Sequence, residues 1–133
     1  MSPISGGLAS ALDRLQAQVE KAEARLRKLP GSRHESASVE LGDLKESDAS
    51  TPCLEFGRID GQDLECIKIV YYDGWGNQTD DNLPFLDLPI SYRIQAATRI
   101  PTLVELAEAA DSDLTTAAEH AASELEHFLS KND

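Results

Sequence analysis

Leu8, Leu12, Leu15, Val19, Ala22, Leu26 and Leu29 follow one another at steps of 4, 3, 4, 3, 4 and 3. A 3.5-residue apolar repeat puts all of them on one narrow stripe of an α-helix, the form a helix takes when it lies along another helix. The residues between are mostly Ala, Gln, Glu, Lys and Arg, all good helix formers, and Pro30-Gly31 ends the run. Three heptads hold a helix only marginally in water on their own. The stripe therefore needs a partner, either elsewhere in this chain or on a second molecule.

Charge suggests which partner. The 133 residues carry 24 acidic and 12 basic side chains, a net charge of −12. Residues 1–30 are net basic and residues 101–133 strongly acidic, with eight acidic side chains against Lys131. The N-terminal helix is thus suited to lie on the C-terminal one, or on its copy in a second subunit. A homo-oligomer through the N-terminal helix is one form this can take. A charge of −12 repels phosphate backbones and anionic membrane surfaces, so neither nucleic acid nor membrane is expected as a partner. The expected setting is the cytoplasm, with Cys53 and Cys66 reduced, because their spacing makes no disulfide framework.

Composition divides the chain in three. Residues 1–30 read as a coiled-coil-type helix from Leu8, with Ser5-Gly6-Gly7 as a flexible lead-in. Residues 31–52 are rich in Ser, Glu and Asp with few large apolar side chains, and read as a flexible linker, the alternative being that Val39 to Leu44 docks as a short strand. Residues 53–133 read as one or two hairpins followed by a helix. In that third part, Cys53 to Ile59 and Gln62 to Tyr72 flank Asp60-Gly61, a favoured two-residue turn. That turn sets Leu54 opposite Ile67 and gathers Leu54, Phe56, Ile67, Ile69 and Tyr71 on one face. A polar loop from Asp73 to Asn82 follows, and within residues 83–100 Ile90, Tyr92 and Ile94 alternate as a third strand would, the preferred reading, while Ile90, Ile94 and Ala97 also fit a helix. Thr102 and Glu105 form a capping box. Leu103, Leu106, Ala110, Leu114, Ala117, Ala121, Leu125 and Phe128 then keep helical phase through Asp111-Ser112-Asp113 as one long helix.

The motifs that carry chemistry fail on inspection. Asp73, Asn77, Asp80 and Asp81 are hard oxygen donors, but Trp75 and Gln78 stand where a calcium loop needs an oxygen ligand and glycine. Cys53, Cys66, His34, His120 and His127 have no metal-ligand spacing, and the serines have no base beside them in a known motif. Residues 102–121 resemble a helix-turn-helix only until the turn, and the second helix offers no basic side chain to DNA. No catalytic, cofactor-binding or metal-binding residue is therefore assigned. Tyr71, Tyr72 and Trp75 are candidate partner contacts, as aromatic side chains at a strand end and loop tip. Covering a small core is the other role open to Trp75.

The expected fold is α+β, a small antiparallel sheet of two or three strands flanked by the long N-terminal heptad helix and the long acidic C-terminal helix. In layout alone this resembles prefoldin-like subunits and the small acidic secretion chaperones of bacteria, although no motif aligns with either. The function expected is a non-enzymatic protein–protein interaction factor, an adaptor or small chaperone. The rival readings are an acidic inhibitor or nucleic-acid mimic that occupies a basic site, and a small enzyme. Salt separates the first two, since an acidic inhibitor loses affinity steeply with ionic strength.

Overall fold

A computed structural model describes residues 3–29, 37–42, 50–59 and 65–132. Helix α1 (Pro3–Arg27) leads into an antiparallel sheet of β1 (Ser38–Glu40), β2 (Ser50–Gly57), β3 (Cys66–Asp73) and β4 (Gln78–Pro84). A 3₁₀ turn (Phe85–Asp87) and helix α2 (Ile90–Ala97) connect the sheet to helix α3 (Ile100–Asn132). The strands lie in the order β1-β2-β3-β4, each beside its neighbour in sequence. The fold is α+β, with α1 and α3 flanking the sheet.

The period-2 pattern sorts the sheet residues onto two faces. Val39, Leu54, Phe56, Ile67 and Ile69 are buried against Val19 and Leu26 of α1 and Ile100, Leu103, Val104 and Ala107 of α3. Phe85 and Leu88 close the same core from the 3₁₀ turn, and Ala96 from α2. Residues of the N-terminal helix, the expected linker and the C-terminal region thus share one core.

Several expectations are corrected here. Leu54 pairs with Ile69 and Glu55 with Lys68, a register two residues away from the one the Asp60-Gly61 turn implies. A shift of two keeps every side chain on its face, so the expected apolar face survives the wrong register. The turn itself lies outside the described residues. Two stretches assigned to the linker are strand: 38–40, with Val39 buried and Leu41 buried just after it, and 50–52, with Pro52 buried. The rest of the linker, 31–36 and 43–49, also lies outside the described residues.

The strand expected at Ile90, Tyr92 and Ile94 is helix α2, with Ile90 and Ile94 exposed. The additional strand is β4, half of the expected polar loop. Its sequence QTDDNLP is poor in strand formers, and it is tolerated at the sheet edge with Pro84 at its last position. Thr102 does not cap α3, which starts at Ile100 with Leu103 N–H bonded to the Arg99 carbonyl at 3.1 Å. Pro101 falls in the first turn, where its missing N–H costs nothing. Ser5-Gly6-Gly7 is helical in α1 rather than a lead-in. As expected, α3 runs unbroken through Asp111-Ser112-Asp113, and Thr115 Oγ1 donates back to the Asp111 carbonyl.

Candidate protein interaction surface

The α1 stripe is covered over only part of its length. Val19 and Leu26 are fully buried, Leu12, Leu15, Ala22 and Leu29 are half-buried, and Leu8 is 47% exposed. Between α1 and α3 lies a groove of about 430 Å³. Its floor is apolar, with Leu15, Val19 and Ala22 facing Ile100, Pro101 and Val104. Arg25 closes it by a two-pronged ion pair with Glu108, Nη2 to Oε1 at 2.7 Å and Nε to Oε2 at 3.0 Å. This is the docking of basic α1 on acidic α3 that the charge pattern suggests. The pair is mostly exposed, so it aligns the helices more than it holds them.

Two further contacts fix the end of α1 on β3. Glu23 is only 7% exposed, and its Oε2 accepts the Ile67 N–H at 2.7 Å. Ile67 lies one residue beyond the end of the β3–β4 pairing, so the carboxylate stands where a longer β4 would have bonded. Burial pushes the Glu23 carboxyl above its usual range, against the smaller opposing effects of this hydrogen bond and of Arg27. One turn on, Arg27 donates from Nε and Nη2 to the Glu65 carbonyl at 3.0 and 2.7 Å. Neither role was foreseen. The only sequence signal for Glu23 is its place beside Ala22 at the edge of the stripe.

On the other face of the sheet, Glu55 is buried and its Oε2 accepts from Tyr72 Oη at 2.5 Å and Ser38 Oγ at 2.9 Å. Tyr72 stands four residues along β3 from Lys68, the partner of Glu55. Its ring must therefore lie along the sheet, over the Cys53–Val70 pair, to reach that carboxylate. This accounts for Cys53 and Val70 being buried away from the helices. Burial first, and then the bond to Glu55, raises the Tyr72 hydroxyl well above its ordinary value. Burial likewise raises both thiols. Cys53 and Cys66 are free, and Cys66 pairs with Gly57, four residues along β2 from Cys53.

The three aromatic candidates do not converge. Tyr71 packs on the core face, Tyr72 lies on the opposite face, and Trp75 stands at the tip of the β3–β4 turn, 90% exposed. Covering the core is thus not the role of Trp75. The turn that presents it is tightly built. Asp73 Oδ1 accepts from the N–H groups of Trp75 and Asn77, both at 2.9 Å, and Gly76 takes φ +81°. These contacts use the Asp73 carboxylate to hold the turn.

A long uncovered surface belongs to α3. Its residues from Ser112 to Lys131 are all exposed, including Leu125 at 58% and Phe128 at 59%. Ile100, Val104 and Ala107, buried in the core, continue at steps of 4 and 3 through Asp111 to Leu114, Ala118, Ala121, Leu125 and Phe128. The core-facing stripe of α3 therefore runs on, without cover, for about five more turns. His120 Nε2 lies 3.3 Å from Glu124 Oε1 on the exposed arm. No group of His, Cys, Asp and Glu able to hold a metal occurs among the described residues. No helix among them is long and apolar enough to cross a membrane.

Comparison with protein-family models, with curated proteins and with solved structures gave no match.

Proposed function

We propose that this chain is a non-enzymatic protein–protein interaction factor, an adaptor or small chaperone, that works by helix pairing in the cytoplasm. The observation that carries this reading is the exposed continuation of the core stripe along α3, with Leu125 and Phe128 more than half exposed. Isolated helices are marginal in water, and monomers rarely display a contiguous apolar ridge of this length. A ridge with the spacing of a helix-pairing seam is suited to another polypeptide rather than to a small molecule. Two free thiols out of reach of each other suit a reducing compartment.

Affinity capture from the native host tests this reading, with wild type, Leu125→Asp and Phe128→Asp as bait. Proteins held by wild type and released by both variants, at unchanged helical circular dichroism, support helix pairing. Capture that is indifferent to both variants but abolished by moderate salt would instead favour the acidic inhibitor, whose contact is by charge.

A further inference from the structure

Both α1 and α3 extend beyond the groove where they meet, with part of the apolar stripe uncovered on each. Arg25 sits at Glu108, and α1 stops two residues later while α3 continues to Asn132. At 1.5 Å per residue about 36 Å of α3 lies beyond this point, and about 18 Å of α1 precedes Leu15, where the groove begins. Both lengths carry the 4, 3 stepping of the stripe that is already paired between the two helices at the groove.

We infer that the working unit is a two-fold dimer in which the leading half of α1 in one copy lies on the α3 arm of the other, and the reverse. This rests on the helix-pairing reading and names its first partner as a second copy. Three observations favour this occupant. The pairing extends an interface the chain already makes, the α1–α3 contact that buries Val19 and Val104. A two-fold arrangement covers both uncovered stripes at once and leaves neither end open to a third copy. Charge also selects it over two α3 arms lying on each other. The arm carries Asp113, Glu119, Glu124 and Glu126 against Lys131. Self-pairing would bring these carboxylates together, whereas α1 up to Lys21 is net neutral, Arg14 and Lys21 against Asp13 and Glu20, and meets the acidic arm without net repulsion.

Sedimentation of the full chain at 1–100 μM (about this range suffices for a helix-pair interface) tests the proposal, with Leu8→Asp and Leu125→Asp as separate variants. The wild type is expected at twice its 14.5 kDa mass. Each variant is expected at the monomer mass, or with a dimer dissociation constant raised at least about tenfold, with helical circular dichroism retained. An equimolar mixture of the two variants is expected to recover dimer, because one of the two interfaces in the mixed pair then carries neither charge. A monomeric wild type overturns the proposal, as does a dimer indifferent to Leu8→Asp or a mixture with no recovery. None of these outcomes touches the helix-pairing reading, which stands or falls on release of captured proteins by Leu125→Asp and Phe128→Asp.

Discussion

Glu23 shows how one carboxylate can both build a fold and weigh on it. Its raised native value means that the folded chain holds the proton more tightly than the unfolded chain does. Its contribution to stability is fully present below the ordinary carboxylate range and is lost as pH rises through that raised value. Glu23→Gln keeps an acceptor for the Ile67 N–H without a buried charge. It should therefore match wild type in acid melts and exceed it at neutral pH. Glu23→Ala leaves the N–H unpaired and should lose about 1–3 kcal/mol in urea titrations at neutral pH. A Gln variant as unstable as the Ala variant at pH 7 would show that the charge itself is needed. Trp75 is the opposite case, a large side chain that the fold does not use. Trp75→Ala should change stability by less than about 0.5 kcal/mol. Wild-type emission should be red-shifted and readily quenched by iodide, and a blue, protected maximum would contradict an exposed ring.

Among the elements, helices were more legible than strands, and for a physical reason. A stripe such as Leu8 to Leu29 repeats many times and survives local exceptions, and it located α1 to within a few residues. Continuity of α3 across Asp111-Ser112-Asp113 was legible in the same way. The apolar face of β2 and β3 was also readable, since alternation survives a slip of two, but the register was not. It depends on the turn, and a two-residue turn at Asp60-Gly61 would set Gly57 opposite Leu64 rather than Cys66. Strand β4 was missed, and β1 stood only as the alternative at Val39 to Leu44, because edge strands are bonded on one side and tolerate polar sequence. Ile90, Tyr92 and Ile94 misled because a few apolar residues at even spacing fit both periods. Of the candidate site, the seam was legible and its division into covered and uncovered lengths was not, for that depends on where α1 and α3 meet. Leu26→Ala in the covered part should cost about 2–5 kcal/mol in equilibrium unfolding. Leu8→Ala in the uncovered part should cost the isolated chain well under about 1 kcal/mol.

At the scale of the whole molecule, the sheet is a meander and its order is the order of synthesis. Pairings between β2, β3 and β4 close short loops, whereas Glu23 meets Ile67 across 44 residues and Arg25 meets Glu108 across 83. Long loops are closed late, after local structure has offset part of the entropy. The sheet and the start of α3 should accordingly form the folding nucleus, and α1 should dock after the rate-limiting step. In stopped-flow chevrons, Leu26→Ala is then expected to speed unfolding and leave the folding rate almost unchanged, while Ile69→Ala slows folding. A Leu26→Ala variant whose whole loss appears in the folding rate would place α1 in the nucleus instead. The helix made before the sheet it docks on would thus be the last to find its place. With α1 docking last, its seam would stay open on the ribosome while the later elements are made, long enough to meet the nascent chain of a neighbouring ribosome on the same message.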